Sequence, residues 1–258
     1  MFSTKKFYLN IITCIFIAWM SFTLSVFLHE YTHSLVAWLL GFKTTPFDID
    51  YGHFGWSNIV WQQVDQAVNN PAIDLIGHRY QAGIIPIIPP ILINGGFGLG
   101  VLFHLEKRLK QEKERRFLNI FLFTFVLWNV GEFFNYTCLR SFSTHADVGL
   151  FLHYFQLSPW VIFIPGFYVS LFAFYRILSP LCRSLFQRYA LKKFSVISIY
   201  LTTCFILFVF QPLIGFRFDF FRFNPTVTFV NILCLLVAPI MSYAFWPRSF
   251  LACRKEEI

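Results

Sequence analysis

Apolar residues in this chain come in runs long enough to cross a lipid bilayer, and that pattern limits the fold more than any other feature. A crossing helix needs about 20 predominantly apolar residues. Six stretches qualify: 7–42, 84–104, 117–139, 159–178, 194–215 and 227–246. Charged residues make up 13% of the chain, against roughly 25% in a soluble domain. That is too few to coat a water-facing surface. The expectation is an all-α membrane protein with about six transmembrane helices, built as a single polytopic domain over residues 1–258. Within it, a core of about 7–155 is followed by additional C-terminal spans at 159–246.

The first run exceeds one straight crossing, so it either tilts or continues as helix into the interface. Lys5 and Lys6 resemble the charged start of a signal peptide. The apolar stretch is too long for one, and no small-residue cleavage site precedes residue 28, so the run reads as an uncleaved span. The second run holds Pro86, Pro89 and Pro90, then Gly95, Gly96, Gly98 and Gly100. Kinks and close helix packing are expected there. A nucleotide-binding loop is excluded, because no strand precedes these glycines.

The net charge of +8 does not point to nucleic acid, because the basic residues fall between apolar runs rather than along a stripe. With a cytoplasmic N-terminus, six crossings place 16 Lys and Arg on the inner side. Only Lys43, Arg79, Arg140, Arg217 and Arg222 fall outside. This asymmetry follows the positive-inside rule and puts both termini in the cytoplasm. It suits a bacterial inner membrane. The longest outer loop, 43–71, alternates Phe47, Ile49 and Tyr51 with Asp48 and Asp50. It reads either as a short β-hairpin on the membrane surface or as an interfacial loop anchored by tryptophans. The six cysteines contain no C-x-x-C pair, so neither a disulfide framework nor a thiolate metal site is indicated.

At the outer end of the first run lies His29-Glu30-Tyr31-Thr32-His33, an H-E-x-x-H motif. Residues four apart share a helix face, so the two imidazoles can hold one zinc ion. Glu30 stands beside them as a candidate general base. Ionisable residues within a span are costly and therefore point to function. A hydrolytic zinc site takes three protein ligands, so a third must come from elsewhere on the same side. Between the third and fourth runs, the segment Ser143-Thr144-His145-Ala146-Asp147-Val148-Gly149 falls on that side. Asp147 or His145 can complete the site, and His145 can alternatively orient a substrate carbonyl. Asp147 can also simply cap a helix. Glu132 and Asn135, three residues apart on one helix face, offer a partner for a zinc-bound imidazole, a third ligand in Glu132, or a structural hydrogen bond. Asp48, Asp50, His53, Asp74 and His78 share that side without a distinguishing pattern, and His104 and His153 belong to no arrangement.

With these motifs in place, the chain resembles the site-2 protease family of intramembrane metalloproteases over residues 20–155. The resemblance rests on H-E-x-x-H in an early span and on Asp147-Val148-Gly149 near a later one. Ala82-Gly83 and Asn94 in the intervening span add to it. It implies zinc held by His29, His33 and Asp147, with Glu30 as base, acting on membrane proteins or membrane-associated peptides within the lipid bilayer. Two other readings compete with a protease. One is a metal-binding transporter, disfavoured by the lack of ionisable residues in the last two runs. The other is a catalytically silent relative that binds membrane partners.

Overall fold

The computed structural model describes residues 4–53, 55, 64–111, 115–143, 146–189, 193–210, 232, 236 and 240–245. Helix dominates, and among the described residues no strand occurs. Helix α1 runs over Thr4–Leu39 and the short α2 over Asn70–Leu75. Helix α3 (Arg79–Pro89) passes through a wider π-helical segment, Pro90–Phe97, directly into α4 (Gly98–Lys110). Helix α5 (Arg116–Phe134) ends in a π-helical segment, Asn135–Leu139. Helix α6 covers Asp147–Phe155. Helix α7 (Trp160–Arg176) continues through Ile177–Leu181 into α8 (Cys182–Arg188), and α9 (Lys193–Phe205) through Ile206–Phe210.

Four helical rods are long and apolar enough to cross a membrane: Ile12–Leu39, Arg79–Lys110, Arg116–Leu139 and Trp160–Arg188. Helix suits such sequences because it satisfies each backbone polar group within its own segment. The second and fourth rods outrun the apolar stretches expected from the sequence. Their helices continue into basic ends such as Lys107, Arg108 and Lys110, whose positive charge favours a helix C-terminus. The fifth expected run appears as the shorter helix Ser195–Phe210, and its remainder lies outside the described residues. Of the sixth, residues 232, 236 and 240–245 are described and helical.

Helix α1 stops at a glycine. Gly41 has φ +83°, and the Phe42 and Gly41 N–H groups donate back to Ala37 and Trp38 carbonyls at 2.9 and 3.0 Å. This pattern satisfies carbonyls that the helix end would leave open. The chain then enters the 43–71 segment. The hairpin expectation reduces there to one antiparallel bridge, in which Asp50 and Asp65 exchange backbone hydrogen bonds of 3.0 and 2.8 Å. Residues 54 and 56–63, including the Trp56–Trp61 stretch, lie outside the described residues. The bridged strip rests on α1: Phe47 meets Tyr31, Tyr51 meets Phe27, and the Tyr31 and Tyr51 hydroxyls are hydrogen-bonded.

Of Gly95, Gly96, Gly98 and Gly100, two act as close-packing residues. A Cβ on Gly95 would lie 2.8 Å from the Phe133 ring, and one on Gly98 would lie 2.8 Å from the Asn129 Cβ. Three residues apart, they form one face against α5. Gly100 meets nothing within 4 Å, and Gly96 meets only its own helix. The largest apolar core joins α4, α5, α7, α8 and α9 through residues such as Leu102, Leu127, Phe134, Phe174 and Leu178. A smaller core gathers Ala37, Ile73, Ala82, Ile85 and Tyr154 from α1, α2, α3 and α6.

Candidate metal centre

The C-terminal part of α1, the start of α3, the end of α5 and helix α6 meet at one end of the bundle. There His29, His33 and Asp147 form the group of metal-capable side chains found among the described residues. The two imidazoles come from one face of α1, one turn apart. Asp147 is the first residue of α6. Its carboxylate does not cap that helix; it turns instead to the imidazoles.

The distances test whether a zinc ion suits these atoms. His33 Nε2 lies 3.1 Å from His29 Nε2. Asp147 Oδ2 lies 3.3 Å from His29 Nε2 and 3.5 Å from His33 Nε2. Ligands at about 2.0–2.1 Å on a tetrahedral zinc stand roughly 3.3–3.4 Å apart. The three separations bracket that value, so the donor set fits zinc in both chemistry and spacing. The Asp147 carboxyl is held well below the ordinary range: burial opposes its charge, but the His33 and His29 imidazoles outweigh burial. A carboxylate and two ring nitrogens thus converge on one point, a donor set suited to a cation.

Each imidazole is also gripped from behind. His33 Nδ1 lies 3.0 Å from the Ile85 carbonyl. A carbonyl only accepts, so Nδ1 carries a proton and Nε2 is the nitrogen that faces the centre. Why that carbonyl is free follows from the sequence. In an α-helix it would accept from residue 89, and in a π-helix from residue 90. Both are proline and have no N–H. His29 Nδ1 lies 2.7 Å from Asn94 Oδ1, and the ring stacks on Tyr136 at 5.0 Å and 14°. The Arg140 guanidinium lies 5.1 Å from the Tyr136 ring centroid.

Helix α6 is fixed against α3. Gly83 gives the room, since a Cβ there would lie 2.8 Å from the Phe155 ring. Arg79 Nε donates to the Tyr154 carbonyl at 2.9 Å and Nη2 to that of His153 at 3.4 Å. A cation at a helix C-terminus is favourable, and here it anchors the element that carries Asp147.

Glu30 follows His29 directly and interacts electrostatically with His29, His33 and Asp147. Its Oε2 is buried and has no hydrogen-bond partner. Glu132 does not join the donor group. It lies 3.4 Å from Asn135 Nδ2 and interacts electrostatically with Arg140 and His29. His145 lies outside the described residues. Asp48, Asp50, His53, Asp74, His78, His104 and His153 belong to no metal-capable group. Asn129 and Tyr136 were not singled out from the sequence. The available signal for Asn129 was a lone amide within an apolar run, and for the Ile85 carbonyl it was the Pro89-Pro90 pair.

No family model matches the chain, and neither the curated proteins nor the solved structures contain a match.

Proposed function

We propose that this protein is a membrane-embedded zinc metalloprotease of the site-2 protease type. The observation that carries this reading is the convergence of His29 Nε2, His33 Nε2 and Asp147 Oδ2 at tetrahedral spacing, with a buried, unpartnered Glu30 oxygen next in sequence. The three side chains hold the ion. When bound, zinc supplies Lewis-acid polarisation of a peptide carbonyl and acidifies water toward a pKa of about 7. Glu30 takes the proton from the attacking water and delivers it to the leaving amide nitrogen.

Substrates are membrane proteins or membrane-associated peptides. A helical peptide bond is shielded by its own turn, so a substrate must unwind before attack. The bridged strip at residues 47–51 sits on Tyr31, next to Glu30, and its edge can pair with an unwound segment. The charge distribution supports six crossings, cytoplasmic termini and an active site facing outward, as in a bacterial inner membrane.

The test combines metal content with proteolysis. Purified wild type should carry about one zinc per chain, lost in His33→Ala and in Asp147→Ala. Glu30→Gln should keep the zinc and lose about 10²–10⁴-fold in turnover, the range for a general acid–base residue. Zinc without proteolysis in wild type would instead favour a silent, partner-binding relative. A folded wild type that takes up no supplied zinc would overturn the metal centre.

A further inference from the structure

We infer that Asn129, which is on α5 and touches neither imidazole, is a positioning residue that sets which nitrogen of His29 faces the metal. This inference rests on the metal-centre reading above and adds a control point outside the ligand set.

An asparagine side chain can turn either way, exchanging its oxygen and nitrogen, so its partners decide which faces where. One amide atom of Asn129 lies 2.9 Å from the Phe125 carbonyl. A carbonyl accepts only, so that atom must be the NH2 group. The Asn129 oxygen is then fixed on the opposite side, 3.3 Å from Asn94. An oxygen there demands a donor, so Asn94 presents its own NH2 group to Asn129. Its oxygen is consequently turned to His29, 2.7 Å from Nδ1. That oxygen in turn demands Nδ1–H. His29 Nε2 is then the nitrogen left facing His33 and Asp147, the one a metal would take.

Every step is buried: Asn129 is 0% exposed, Asn94 1% and His29 4%. No bulk water can supply a substitute donor or acceptor, so a mismatched pair would stay unsatisfied. Gly98 makes the contact possible, because a Cβ there would strike Asn129. Without Asn129, Asn94 is free to flip, offer its NH2 group to His29 Nδ1, and stabilise the tautomer whose Nε2–H points into the centre and opposes a metal.

The experiment uses full-length protein in lipid nanodiscs. Imidazole ¹⁵N NMR on the metal-free protein reads the His29 tautomer, and competition with a zinc chelator reads affinity. Metal-free wild type should carry a proton on His29 Nδ1, whatever Nε2 carries beside Asp147. Asn129→Leu should lose that Nδ1 proton and about 10–100-fold in zinc affinity, the range for loss of a ligand's hydrogen-bond partner. Adding Asn94→Asp to Asn129→Leu should restore both, because a carboxylate accepts from His29 whichever way it turns. A packing defect alone would not be rescued. Finding no proton on His29 Nδ1 in metal-free wild type overturns the relay without reference to any variant. Unchanged zinc affinity in a folded Asn129→Leu also overturns it. Wild type with Nδ1–H but no zinc uptake upholds the relay and removes the metal centre instead.

Discussion

Helix α5 serves two regions with opposite requirements. Toward α4, α7 and α8 it contributes Leu127, Val130 and Phe134 to a core of interlocking apolar side chains. Toward α1 and the π-helical segment after α3 it presents Asn129, and just past its end Tyr136. The first region is held by shape, since lipid offers apolar groups nearly the same environment as the protein interior. The second is held by hydrogen-bond polarity, where each donor and acceptor has a required direction. A change of volume should therefore damage the first and spare the second, and a change of polarity should do the reverse.

The sharpest break is expected from Phe174→Ala. Phe174 is fully buried and packs edge-on against Phe134 and Phe208. Removing its ring should cost roughly 2–3 kcal/mol, at the low end for large core truncations because lipid replaces part of the lost environment. Thermal unfolding in detergent reads the loss, and zinc per folded chain should not change. A fall in zinc content would mean that the two regions are coupled.

Gly98→Ala strikes both at once. The added methyl must displace Asn129, so stability should drop by about 1–3 kcal/mol, as overpacking does. Zinc affinity in the surviving folded fraction should fall several-fold. Loss of stability with wild-type affinity would show that Asn129 can shift without releasing Asn94.

The smallest effect, and the one whose two readouts have opposite signs, belongs to Pro89→Ala. An alanine N–H can donate to the Ile85 carbonyl that His33 now uses. Helix α3 should gain about 1 kcal/mol, the net contribution of one hydrogen bond, while zinc affinity weakens a few-fold. A rise in both would show that the carbonyl accommodates two donors and that the prolines serve only to bend the rod.

The sequence reveals features with a fixed spacing or a solvent preference. Apolar runs announced the four crossing-length helices, and His29, Glu30 and His33 announced themselves through an i, i+4 pattern. Asp147 was legible because charge asymmetry put it on the same side as the motif. Of the supporting shell only Asn94 was named, through the resemblance and without a role, because its members carry no pattern. Asn94 and Asn129 meet across 35 residues, and whether a lone amide in an apolar run faces lipid, a neighbouring helix or an imidazole depends on helix rotation. Tyr136 reaches His29 from a π-helical segment, where the extra residue per turn shifts side chains off the 3.6-residue face. The 43–71 loop fell between two readings because its alternation holds over a few residues only, and one bridge is what that alternation supports.

The origin of the third donor has a consequence for biosynthesis. Asp147 lies 118 residues beyond His29, on a nine-residue helix docked by Arg79 and Gly83. As the chain emerges from the ribosome, α1 enters the bilayer with both histidines and Glu30 long before α6 exists. Until α5 has been inserted and α6 has folded back on α3, the nascent protein holds a pair of imidazoles without the Asp147 carboxylate and without the paired amides of Asn94 and Asn129. The order of translation thus keeps the centre incomplete while newly made, still unpaired helices surround it.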